Sequence, residues 1–187
     1  MDRLTDFLMK NPGQTSALVA LAALCISFLS ILLTVVSVAS QRKHNRLSVR
    51  PLAWISVADY ENRLSVKLQN NGVGPLIIQK ILVSEGQTVK NSLIDWMPNL
   101  PPGVVWEMFA QDLQARSLAP GKEIVLIQLA GDPENARFGL ARDLCRASLK
   151  KLTVELRYTD IYNRKMTPAT RSLSWFGRHA PGNDARA

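Results

Sequence analysis

An uncharged apolar run from Ala17 to Ala39, "ALVALAALCISFLSILLTVVSVA", constrains this chain more than any other feature. About 23 residues at a rise of roughly 1.5 Å make a helix of about 34 Å, enough to cross a hydrocarbon core of about 30 Å with a little tilt. The polar members of the run are Ser27, Ser30, Thr34 and Ser37, whose hydroxyls can bond back to the helix itself. Their 3-4-3 spacing puts them on one helical face. That face is either a seam for a second helix, and so a route to a homo-oligomer, or a set of small polar residues the helix tolerates. A cleavable signal peptide is the rival reading, since "SVAS" before Gln41 loosely resembles a cleavage site. Signal cores span about 7–15 residues, so a retained anchor is expected.

The flanks set the orientation. Arg3 and Lys10 precede the run, while Arg42, Lys43, Arg46 and Arg50 follow it. The positive-inside rule then puts the C-terminal side in the cytoplasm, and the same four cations attract anionic lipid headgroups of the bilayer. The expected organisation is a short amphipathic segment at 1–13, with Leu4, Phe7 and Leu8 on one face, and a transmembrane helix at 14–41. A basic juxtamembrane linker at 42–50, a folded domain at 51–176 and a flexible tail at 177–187 complete it.

Beyond the anchor the hydrophobic period falls to two. "RLSVKLQN" (63–70) turns Leu64, Val66 and Leu68 one way and Ser65, Lys67 and Gln69 the other, the mark of a half-buried strand. "PLAWISV" (51–57), "LIIQKILVS" (76–84), "EIVLIQL" (123–129), "KLTVELRY" (151–158) and "TRSLSWF" (170–176) supply five more strands, with Trp54 and Trp175 expected in the core. Two segments interrupt them. "GVVWEMFAQDLQAR" (103–116) spaces Val105, Met108, Phe109 and Leu113 as a short helix or irregular segment would. "PENARFGLARDLCRASLK" (133–150) predicts a helix from Pro133, with Asp132 bonding free backbone N–H groups at its start and Phe138, Ala141, Leu144 and Cys145 on its apolar side. The fold class is mainly β: an N-terminal transmembrane helix followed by an antiparallel β-sandwich with one or two short helical insertions.

The N-x-G corner at 71–72, the "LAPG" turn before the 123–129 strand and the "VELRYTDIYNRK" hairpin are similar to motifs of bacterial immunoglobulin-like modules. Over about residues 48–176 the chain resembles uncharacterised bacterial single-pass membrane proteins that carry such a domain. Asn163 stands where those proteins usually have glycine, and asparagine tolerates the left-handed turn. The resemblance implies a tethered immunoglobulin-like sandwich at the bacterial inner membrane and brings no activity with it.

Catalytic and metal chemistry find little to build on. His44 lies beside the membrane segment and His179 in the tail, so neither offers a triad or a metal ligand set to the domain. Cys25 and Cys145 fall on opposite sides of the lipid boundary and cannot pair, which points toward a reducing compartment, and Cys145 reads as a small buried hydrophobe. The carboxylates are scattered; Asp59 and Glu61 suit a polar turn, and Asp160 the backbone of its own hairpin. "QNNGVGPL" (69–76) looks like the start of a phosphate loop, yet Ile77 stands where a dinucleotide loop needs glycine, and a strand follows. It reads as a corner, with Asn71-Gly72 supplying positive φ angles. No catalytic residue, metal site or cofactor is expected.

Two surfaces remain. Arg142, Arg146 and Lys150 recur every four residues and form either a phosphate-binding stripe or a solvated face near a helix C-terminus. Trp96 and Trp106 flank the proline-rich "MPNLPPGVV" and form either a rim for a protein partner or ordinary packing. The expected function is a non-enzymatic scaffold or regulatory subunit recruiting another protein of a membrane-associated complex. A sensor of nucleotides or nucleic acid through the basic stripe and an extracytoplasmic envelope module are the alternatives.

Overall fold

The structure, a computed structural model, describes residues 12–178 and divides into two units, one ending at Leu47 and one beginning at Ser48. The amphipathic segment expected at 1–13 and the tail with His179 lie almost wholly outside the described residues.

Helix α1 spans Pro12–Ser48. It is long and apolar enough to cross a membrane, although its place near the N-terminus also fits a signal sequence, and none of its apolar window is buried. Ser27 Oγ donates to the Ala23 carbonyl, Ser30 Oγ to that of Ile26 and Thr34 Oγ1 to that of Ser30, each at 2.8 Å. The hydroxyls are thus satisfied inside the helix, as an apolar solvent demands. Because α1 continues to Ser48, Arg42, Lys43 and Arg46 stand on the helix rather than in a linker, and Arg50 alone of the four lies beyond it.

In the second unit, β1 (Ala53–Asp59), β2 (Arg63–Asn70), β7 (Glu123–Ala130) and β5 (Met108–Phe109) form one sheet in the order β1-β2-β7-β5. The other runs β4 (Thr88–Lys90), β3 (Leu76–Glu85), β8 (Thr153–Thr159), β9 (Ala169–Ser172), with β6 (Ser117–Leu118) added to β3. Every pairing is antiparallel. This unit is strand-dominated, while α1 offsets the strands when the whole chain is counted. Alternation buries Leu64, Val66 and Leu68 of β2 and Val154, Leu156 and Tyr158 of β8, and both sheets feed one hydrophobic cluster. Each fully buried leucine contributes about 1.5–3 kcal/mol to such a core.

Helix α2 spans Ala136–Leu149 and closes the cluster with Phe138, Ala141, Cys145 and Leu149. It starts later than Pro133 because Asn135 is its cap, accepting from Arg137 N at 2.9 Å, while Asp132 holds a preceding turn through Glu134 N. Leu144 lies off the buried stripe and is exposed. The 103–116 segment is irregular, as one of its two readings had it. Met108 and Phe109 pair with the edge of β7 and remain exposed, and Leu113 is the buried member of the expected apolar set.

The 159–165 hairpin forms as expected. Asp160 Oδ1 accepts from the N–H groups of Tyr162 and Arg164, and Asn163 takes φ 57°. The 69–76 corner also forms, for a different reason than expected. Neither Gly72 nor Gly74 has a positive φ. A Cβ on Gly72 would stand 2.3 Å from Leu52 N, and one on Gly74 would stand 1.7 Å from Val49 O. These glycines let two backbone segments touch.

Gly74→Ala is therefore expected to cost at least the ~1–3 kcal/mol typical of overpacking. Gly139→Ala, whose Cβ meets nothing within 4 Å on α2, should stabilise by up to about 1 kcal/mol. Guanidinium unfolding of a fragment starting at Ser48 measures both, and similar effects at the two positions would refute the close-approach account.

Candidate functional site

A cluster of charged side chains gathers where α2, the end of β1 and a 3-10 turn at Ser174–Gly177 meet. Asp59 ends β1 with its side chain 0% exposed. Arg146 of α2 reaches it as a fork, Nε at 3.1 Å from both carboxylate oxygens and Nη2 at 2.7 Å from Oδ1, while Nη1 takes Asp143 at 3.0 Å. Burial works against the Arg146 cation, but the hydrogen bonds and charge of Asp59, then of Asp143, outweigh it and hold its pKa above the ordinary arginine value. Arg178 adds Nη1 at 3.2 Å from Asp59 Oδ2, donates from Nη2 to the Asp59 carbonyl at 3.0 Å, and stacks 3.4 Å from the Trp175 ring centroid. Arg142 donates from Nη1 to the Glu61 carbonyl in the β1–β2 turn.

The basic stripe is thus two things. Arg142 and Arg146 are engaged by their own domain, pinning α2 to the β1–β2 hairpin. Lys150 is exposed and has no ion pair among the described residues. With Lys151, Ser174, Trp175, Gly177 and Arg178 it lines an open groove of about 590 Å³. Lys151 is held loosely, 3.8 Å from Glu85 Oε1, and Trp175 is 39% exposed.

A second groove, of about 500 Å³, runs between β1 and β9 and includes Leu52, Trp54, Ile55 and Arg171. Trp54 is 52% exposed there, with the Arg171 guanidinium 5.6 Å from its ring centroid. β1 is an edge strand, yet three of its outer polar groups have partners. Ala53 N donates to the Tyr158 hydroxyl at 3.5 Å, Arg171 Nη1 to the Ile55 carbonyl at 3.1 Å, and Arg178 to that of Asp59. Side chains of the other sheet and of the chain beyond it cap an edge that would otherwise invite another strand.

Two of the four tryptophans depart from the sequence reading. Trp54 and Trp175, expected in the core, are the exposed pair. Trp96 and Trp106, read as either a partner rim or ordinary packing, are half-buried and pack against the hydrophobic cluster. Trp96 also carries Lys90 Nζ 4.6 Å from its ring centroid. Asp59, expected in a turn, is the buried acceptor of two guanidinium groups. Among the described residues no group of three or more His, Cys, Asp or Glu could hold a metal ion. Cys145 is buried, which pushes its thiol up to about 12 and makes it a poor nucleophile.

The described residues define a class: one apolar helix long enough to cross a membrane, followed by an antiparallel two-sheet domain with a cationic groove and an edge groove. The chain matches, over residues 15–176, the family model described as "Domain of unknown function (DUF8453)", and it belongs to that family. No curated protein matches it.

Asp59→Ala is expected to destabilise the domain by about 3 kcal/mol, because two guanidinium groups lose a buried acceptor. Asp143→Ala, at 66% side-chain exposure, should stay within about 0.5 kcal/mol. Equal losses in guanidinium unfolding would count against Asp59 as the centre of the cluster. In a Cys25→Ser chain, N-ethylmaleimide should modify Cys145 only after denaturant is added; labelling of the folded protein at pH 8 would contradict its burial.

Proposed function

We propose that this chain is a single-pass protein of the bacterial inner membrane whose immunoglobulin-like β-sandwich faces the cytoplasm. There it recruits a protein partner as a non-enzymatic scaffold or regulatory subunit. One observation carries the reading: the β1–β9 groove presents Trp54, 52% exposed, beside an equally open Leu52 and the Arg171 guanidinium. Exposed tryptophan with arginine is the composition that protein interfaces favour and that an isolated domain gains nothing by displaying. The capped edge of β1 supports recognition by side chains in that groove rather than by strand addition. The uncharged run at 17–39 and the four cations that follow that run support anchoring with the C-terminal side inside. The pairing of two antiparallel sheets around one cluster supports the sandwich.

The nucleotide or nucleic-acid reading keeps less support, since Arg142 and Arg146 are engaged internally. An extracytoplasmic envelope module remains the alternative topology. Pull-down of the full chain from detergent-solubilised membranes should recover a stoichiometric partner that Trp54→Ala loses. A monodisperse protein without one would refute recruitment. Gln87→Cys, exposed in the β3–β4 turn, should resist a membrane-impermeant maleimide added to intact cells; labelling there would reverse the topology.

A further inference from the structure

The chain enters the β domain at one end of its strands. Val73 N donates to the Arg50 carbonyl at 3.2 Å and Asn71 N to that of Leu52 at 2.8 Å, which fixes residues 50–52 against the corner between β2 and β3. Two further turns lie at this end. The 119–122 turn is bonded to the Asn70 backbone, and the 160–165 hairpin begins beyond Thr159, which pairs with Ile77 near the start of β3. Arg50, Arg116, Lys122, Arg164 and Lys165 are exposed here, and none has an ion pair among the described residues. The acids nearby do not offset them one for one. Glu123 is engaged by Lys67 and Gln69, Asp160 is buried on its own turn, and Asp112 accepts from Gln114 N. The same corner and hairpin display apolar side chains: Val73 is 67% exposed, Ile161 47% and Tyr162 49%.

We propose that this entry end of the domain rests on an anionic phospholipid surface, with Lys122, Arg164 and Lys165 on headgroup phosphates and Val73 and Tyr162 at the headgroup boundary. The occupant follows from the covalent path. Val49 to Leu52 alone separate α1 from β1, and they are bonded to this end and to no other. Residues 40–48 extend α1 past the apolar run. At a rise of roughly 1.5 Å they add about 13 Å, and the headgroup layer takes up about 5–7 Å of it. The remaining gap of about 6–8 Å is no more than a Debye length at physiological salt, and tilt of the helix shortens it. Lysine and arginine stems cross such a gap, and a tyrosine carries an apolar ring with a polar tip suited to the boundary. The tether also keeps the surface at high local concentration, so contacts too weak to bind a free protein suffice. A soluble phosphate ligand would favour an enclosed site with fixed donors, whereas these cations are spread over separate turns. The docking rests on the reading of α1 as a retained anchor and adds to it a contact made by the domain.

The test uses the full chain with Cys25→Ser and a fluorophore on Ala119→Cys, exposed in the 119–122 turn, or on Gln87→Cys at the opposite end of β3. Each chain is placed in nanodiscs of phosphatidylcholine with or without phosphatidylglycerol, both holding the same trace of headgroup spin-labelled phosphatidylcholine as quencher. At Ala119→Cys, phosphatidylglycerol should raise quenching about twofold, and the excess should vanish at about 0.5 M salt. The Lys122→Glu/Arg164→Glu/Lys165→Glu variant, whose exposed sites leave the fold intact by circular dichroism, should lose the excess, and Gln87→Cys should show none. Equal quenching in the two kinds of disc, an excess that survives the charge reversal, or an equal excess at Gln87→Cys overturns the docking. Loss of the excess to inorganic phosphate at matched ionic strength overturns it in favour of a soluble anion. Carbonate extraction separates the layers of the inference: release of the chain from membranes defeats the anchor itself, whereas a retained chain without the excess defeats the docking alone.

Discussion

The fold of the domain turns on one buried amide. Asn70, fully enclosed at the end of β2, accepts through Oδ1 from Leu52 N at 3.2 Å and Gly72 N at 3.0 Å. Its Nδ2 donates to the carbonyls of Gly74 at 2.8 Å and Leu118 at 3.0 Å. Leu52 leads into β1, Gly72 and Gly74 form the corner into β3, and Leu118 belongs to β6 in the other sheet. Its backbone is engaged as well, donating to the Lys122 carbonyl and accepting from Gly121 N in the turn before β7. A single residue thus ties four segments, three of them through its side chain, and each of its polar atoms would carry a desolvation cost if left alone. The two glycines exist to let those segments come close enough for one amide to reach them all.

Asp59 plays the matching part at the other end of β1. A carboxylate without solvent must be paired, and the pairing dictates what surrounds it. Arg146 draws in α2, and Arg178 draws in the chain after β9. Arg178 also helps Arg171 cap the open edge of β1. This arrangement redistributes positive charge over the surface. The cations nearest Asp59 become structural, and those one turn further along α2 stay available. The exposed positive charge lies accordingly at the C-terminal end of the helix rather than at its middle.

Much of this was legible from the residues. Period-two alternation located β2 and β8, because one face of each meets a core and the other does not. The hairpin at 159–165 was legible because Asp160 and Asn163 act on their own backbone. The 103–116 segment shows the limit. Its apolar spacing fits a helix, but the edge of β7 offered Met108 and Phe109 hydrogen bonds that local spacing does not reveal. Trp54 and Trp175 misled for a related reason. "LAWIS" has apolar residues in both phases, so the choice between Trp54 and Ile55 as the buried one depends on pairing with β2. Trp96 and Trp106 stand in a loop, and a loop's inner side is set by what it lies across.

By itself the sequence determined that residues 17–39 form one long helix, since an uncharged apolar run of that length leaves no alternation for a half-buried strand. It determined also that an antiparallel domain follows, since alternation and turn chemistry act between near neighbours. Only the tertiary structure decided which cations are available, which tryptophans face solvent and why Gly72 and Gly74 are glycine. Those outcomes depend on contacts across long stretches of chain. Arg146 and Asp59 are 87 residues apart, and no local pattern carries the information that one will neutralise the other.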